Sequence, residues 1–152
     1  MNVTREEMVF DLLGGRKFLE YHVSSSLEAH DLIVSGIPAE AVFHMIGKVS
    51  ILSSGDALKR GVGISLRSLQ RKKILAGRAG CLSPSEGSRA WRFAEIYAHA
   101  TDVFGDEETA GKWMLEPSIG LDNRRPIDLI MSSVGASLVE KQLIQIDYGV
   151  YT

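Results

Sequence analysis

Along the chain, apolar residues return every three or four positions and never alternate singly over a useful length. The pattern predicts helices and no sheet. Thr4 to Leu13 reads as a first helix, with Thr4 as N-cap, Glu7 as its capping-box partner and Gly14 as the stop. Val23 to Val34 is ambiguous. Three serines interrupt it, and a helix is allowed only from Ser26, where Leu27, His30, Leu32 and Ile33 nearly keep helical spacing before Gly36 breaks it. Pro38 fits a first helical position, and Val42, Met45, Ile46 and Val49 then lie at i, i+3, i+4 and i+7 on one buried face.

The second half carries sharper signals. Ser83, Pro84 and Glu86 supply an N-cap, a first-position proline and a capping-box acid, and Gly105 supplies a stop, giving a helix of about five turns. Its polar residues Arg89, Arg92, Glu95, His99 and Asp102 form one narrow stripe. The remaining apolar arc is wider than one core contact requires, which predicts burial on two sides, by this fold and by another chain or domain. Asp106 caps a short helix that Pro117 ends, Leu121 to Arg124 reads as a turn, and Pro126 opens a short helix through Met131. A last helix starts near Ser133, with Gly135, Leu138, Val139, Gln142, Leu143 and Ile146 on one face. The expected class is all-α, divided into residues 1–82 and 83–152.

Between the two parts, Ser54 to Lys73 has the layout of a helix-turn-helix. Ser54 caps a helix through Arg60, Gly63 occupies the turn, Ser65 caps a second helix, and Leu58, Val62, Ile64 and Leu69 are the apolar lock. The small residue expected where the two helices approach most closely aligns with Lys59 instead. On the second helix Ser65, Arg67, Ser68, Gln70, Arg71 and Lys72 have groove-facing chemistry, arginine for guanine edges, glutamine for adenine, serine and lysine for phosphate.

Charge strengthens that reading. The net charge is −2, but residues 54–80 hold seven Lys/Arg against one Asp. Residues 1–53 hold four Lys/Arg against seven Asp/Glu, and 81–152 six against eleven. All the excess positive charge is therefore concentrated in one segment, a focused footprint for a polyanion. With 45% hydrophobic and 24% charged residues the chain has a globular composition. No apolar run is long enough to span a membrane and no charged start leads into an apolar leader, so a cytoplasmic location is expected. Cys81 is the single cysteine, which excludes an intrachain disulfide and a cysteine-based metal site.

Catalytic chemistry is poorly provided, and neither a catalytic group nor a cofactor or metal is expected. His99 with Glu95 and Asp102 reads as solvated i, i+3 and i, i+4 pairs, and His22, His30 and His44 share no ligand spacing. Gly61 and Gly63 begin a glycine pattern, but Leu66 stands where a dinucleotide fingerprint needs its third glycine. Gly14 and Gly15 before Arg16 and Lys17 are explained by a helix stop, and Asp106, Glu107 and Glu108 by a cap with dipole-favoured acids.

The stretch from Ser85 through Trp91, Ala94 and Ala98 to Phe104 and Gly105, and the spaced series Trp113, Leu115, Pro117, Leu121, Pro126, Leu129, Gly135, Val139, Leu143, Tyr148 and Gly149, resemble antitoxins of the Xre/ParS/MbcA type. In the amino half Gly36, Pro38, Ala39, Ala41, Gly63, Ile64, Ser65 and Arg67 resemble the family's helical DNA-binding part. Asp122 and Asn123 stand where the family favours glycines, and Ser132 and Ser133 where it favours a threonine and an acid. The resemblance implies an antitoxin that neutralises a RES-domain, NAD-consuming toxin with its carboxyl half, as a homodimer, and represses its own operon by binding promoter DNA. By analogy the toxin contacts are Trp113, Leu121, Arg124, Arg125, Tyr148 and Tyr151, in the loops from Trp113 to Leu129 and the tail. A transcription regulator with a ligand-sensing carboxyl half and a scaffold without DNA affinity are the alternatives.

Overall fold

A computed structural model describes residues 3–149. Within them the chain is helical, and its only β-type pairings are two isolated bridges, Pro38 with Cys81 and Ser118 with Arg124. The helices are α1 (Arg5–Leu12), α2 (Ser26–Ser35), α3 (Ala39–Lys48), α4 (Gly55–Gly61), α5 (Leu66–Lys73), α6 (Pro84–Phe104), α7 (Glu107–Leu115), α8 (Pro126–Leu129) and α9 (Ser133–Asp147).

Local chemistry sets most of these boundaries. Thr4 with Glu7, and Ser83 with Glu86, form complete capping boxes, each satisfying backbone donors that the first helical turn leaves open. Ser25, Ser65, Asp106 and Ser132 each accept a bond from a backbone N–H in the first turn of the helix that follows. One such cap is worth about 1 kcal/mol. Ser54 differs from expectation, for its side chain makes no capping bond and α4 runs one residue further, to Gly61. Pro38 stands at the N-cap of α3 and not at its first helical position. Helix α8 closes at Leu129, short of Met131. Asp122 and Asn123 take φ of 58° and 59°, the left-handed region that short polar side chains tolerate. That conformation is the one glycine adopts without cost.

Helix α6 is the axis of the molecule. It packs on α1, α2, α4, α7 and α9. One hydrophobic core runs from Val9 in α1 to Leu143 in α9, with Phe93 of α6 among its fully enclosed side chains. The wide apolar arc of α6 is thus covered by elements of the same chain. Helices α1, α2 and α4 of the amino part pack on it beside α7 and α9 of the carboxyl part, so the burial on two sides expected from periodicity is met by another part of the same chain. The core also crosses the division at residues 82 and 83.

Candidate functional site

The segment from α4 to α5 has the expected helix-turn-helix construction. Leu58, Val62, Ile64 and Leu69 are all buried, and they lock the two helices together. Gly63 makes the reversal at φ 76°, where any residue with a side chain is strained, and its N–H bonds to the Leu58 carbonyl at 3.2 Å. Lys59 turns outward to solvent, and the small buried residues of α4 are Ala57 and Gly61. A Cβ added at Gly61 would lie 2.9 Å from the Phe93 ring. The close approach is therefore made to α6, and position 59 is free to carry charge.

The predicted reading residues divide into two groups. Arg67, Gln70 and Arg71 are exposed on the outer face of α5. Within the described residues, Arg67 and Arg71 form no ion pair. Ser65 and Ser68 are half-buried and bonded to each other in the cap, at 3.1 Å from the Ser68 N–H to the Ser65 Oγ and 3.0 Å between the hydroxyls. Lys72 turns back to the protein. Its Nζ donates to the Cys81 carbonyl at 3.3 Å and lies 3.6 Å from Glu86. Burial works to raise the Glu86 carboxyl, but the Ser83 N–H and the Lys72 charge outweigh it and hold it below the usual range. Lys73 sits over the Phe43 ring at 4.9 Å, a cation–π contact that ties α5 to α3.

The carboxyl half presents a second face. Trp113 is half-buried against Phe104, with ring centroids 5.5 Å apart, and Leu121 is buried. Leu121 and Arg124 line a shallow groove with Gly120, Asp122, Leu129 and Leu138. Arg125 is engaged within the fold, 3.0 Å from Asp128 and 3.9 Å from Asp56. Ile119 and Val134, which sequence reasoning did not select, are 77% and 72% exposed, and Tyr148 is 80% exposed. Tyr151 lies outside the described residues. Leu138, 50% exposed, lies in that groove, and Val134 stands one turn before it on the same side of α9.

The two faces are joined by polar contacts that have no sequence signal, because the partners are far apart along the chain. Arg60 of α4 reaches Asp128 of α8 at 3.2 Å. Hydrogen bonds from Arg125, followed by the charges of Arg125 and Arg60, hold the Asp128 carboxyl below its ordinary range despite partial burial. Arg89 of α6 donates to the carbonyls of Val62 and Gly63, the helix-turn-helix turn itself, at 3.4 and 3.3 Å. One turn on, Arg92 donates to the carbonyls of Ile130 and Met131 at 3.1 and 3.2 Å, satisfying the end of α8. Arg89, Arg92 and His99 of the stripe on α6 are thus crosslinks to other elements, whereas Asp102 faces solvent. His99 likewise bonds to Glu140 of α9 instead of pairing with Glu95 or Asp102.

Glu95 completes this buried seam. Burial, followed by the charges of Glu140 and Glu6, pushes its carboxyl above the ordinary range. A carboxyl that binds its proton more tightly in the folded state stabilises the fold below the unfolded value of 4.5 and loses that contribution as pH rises through the raised folded value. Glu95→Gln is therefore expected to raise the melting temperature at pH 7. The gain over the unmodified chain should shrink toward zero as pH falls below that window, as a series of thermal melts from neutral pH down to about the unfolded carboxyl value would record. A gain independent of pH would contradict this.

Known proteins match this chain in both halves. Residues 28–95 match the family described as the antitoxin Xre-like helix-turn-helix domain, and residues 99–149 the antitoxin Xre/MbcA/ParS C-terminal toxin-binding domain. The two matches meet within α6. An Antitoxin Xre from Photorhabdus laumondii is 31% identical over 128 residues, covering 84% of this chain and 83% of that protein. An Antitoxin Xre from Pseudomonas putida is 28% identical over 127 residues, covering 84% of this chain and 76% of that one. With the helix-turn-helix built as described and both halves matched in their own order, the chain belongs to the Xre antitoxin family and is an antitoxin carrying a helix-turn-helix domain.

Proposed function

We propose that this antitoxin neutralises a RES-domain, NAD-consuming toxin by covering it with the face formed by Ile119, Arg124, Leu138 and Tyr148, and that it represses its own operon through α5. The reading is carried by the exposed apolar side chains within the toxin-binding match, one of which, Leu138, lines a groove with two of the expected contacts, Leu121 and Arg124. Leu121 lines the groove itself, and Trp113 packs on Phe104. Arg125 braces this face through Asp128. The chain acts by occupying its partner's surface and performs no chemistry of its own.

The DNA reading is supported by Arg67 and Arg71, exposed beside Gln70 on the outer face of α5 and without an ion pair among the described residues. Ser65 and Ser68 serve chiefly as the helix cap, and Lys72 as a tie to α6, so phosphate contact from this lysine requires release of Glu86. A homodimer is proposed because helix-turn-helix units read paired half-sites about one DNA turn apart. Action on promoter DNA and a co-encoded toxin places the protein in the cytoplasm, and no helix among the described residues is long and apolar enough to cross a membrane.

Co-expression with the product of the neighbouring gene tests the toxin reading. The chain is expected to restore growth and to co-purify with that product. Leu138→Asp, which puts a charge on a half-exposed position of α9, is expected to weaken the complex at least tenfold, the scale of one central contact, while the isolated chain melts as before. Full neutralisation by the variant would remove this face from the interface.

A further inference from the structure

The outer face of α5 is polar except at its two ends. Leu66, the first residue of the helix, is 43% exposed, and Ile74, just beyond its end, is 84% exposed, whereas Leu69 is fully buried. At 100° per residue Leu66 projects beside Gln70, one turn on, and borders Arg67. An apolar side chain therefore stands among the groups proposed to meet base edges, and the fold leaves it open. The surroundings select the occupant. Residues 54–80 carry seven Lys/Arg against one Asp, and neither Arg67 nor Arg71 is neutralised by an ion pair within the described residues, so the face is complementary to a polyanion.

The major groove offers one apolar group to such a surface, the C5-methyl of thymine. Residues at the start of a recognition helix are those that reach base edges. Leu66 occupies that start, and Ile74 lies at the opposite end. We propose that Leu66 is a specificity-determining residue that packs on the C5-methyl of a thymine in each operator half-site. This rests on the DNA reading given above and adds an apolar contact to the polar ones of Arg67 and Gln70.

The test uses the full chain and a duplex of its own promoter in which each thymine is replaced singly by deoxyuridine, removing the methyl and nothing else. Burial of one methyl group is worth about fourfold in affinity. One thymine per half-site is expected to show that loss with the unmodified chain. Leu66→Ala should bind the thymine duplex at least about fourfold more weakly and be indifferent to uracil at the same position, while Leu66→Met, which keeps an apolar side chain there, should remain sensitive. The proposal is overturned if no position is sensitive, or if Leu66→Ala keeps the full sensitivity. In those cases tight, salt-dependent binding would leave the DNA reading standing, whereas a chain that fails to bind its promoter at all removes both.

Discussion

Phe93→Ala is expected to lower the unfolding free energy by about 3–5 kcal/mol, the range for emptying a fully buried aromatic site. Phe93 is completely enclosed, stacks near Tyr97 with centroids 6.1 Å apart, and closes on Gly61 of the helix-turn-helix and so on the base of α4. A cavity there cannot be filled from α4, where the facing residue is glycine, and relaxation from α6 is limited by its five packed neighbours. The loss is a large share of the roughly 5–15 kcal/mol that holds an ordinary domain together, and it should lower the melting temperature by roughly 10 °C or more. Because one core serves both matched segments, the unmodified chain and the variant should each unfold in a single transition. Separate transitions for the two halves, or a loss below about 1 kcal/mol, would contradict the shared core.

The second large effect concerns α5. Combined Arg67→Ala and Arg71→Ala is expected to weaken promoter binding on the order of a hundredfold, about 1–3 kcal/mol for each arginine. The single variants should differ in kind. Arg67, near the start of the helix, is expected to relax base preference when removed, and Arg71, one turn further on, to reduce the salt dependence of log K by about one unit of slope. Neither variant should change the melting temperature by more than about 1–2 °C, since surface substitutions stay within about 0.5 kcal/mol and neither arginine is paired within the described residues. Unaltered DNA affinity in both would take α5 out of the groove.

Much of the fold was legible because its boundaries are set by local chemistry. The Thr4 and Ser83 capping boxes, the Ser65 and Asp106 caps and the reversals at Gly63 and Gly105 each rest on residues within five positions of one another. The all-α class followed from the same periodicity, and the helix-turn-helix lock was readable from four apolar positions that are all buried. What was not legible depends on partners distant in sequence. Arg89 and the turn it clamps are 26 and 27 residues apart, and His99 and Glu140 are 41 apart. A polar stripe whose bonds go to other helices has the same spacing as one facing water. Likewise the breadth of the apolar arc on α6 reports how much of it is covered and not by what. Lys72 looked like its neighbours in α5, and only the position of Glu86 at the start of α6 turns it inward. At the carboxyl face, of the expected contacts Arg124 and Tyr148 are exposed while Trp113 and Leu121 are half-buried and buried, and the exposed Ile119 and Val134 carried no signal.

The most direct measurement of the central claim takes the product of the neighbouring gene, proposed above to be an NAD-consuming toxin, and titrates its NAD consumption with this chain. Activity is predicted to fall linearly to zero at a fixed molar ratio, the end-point of a tight complex, with Leu138→Asp shifting or abolishing that end-point and Arg67→Ala with Arg71→Ala leaving it in place. Undiminished toxin activity at saturating amounts of the folded chain would contradict the account.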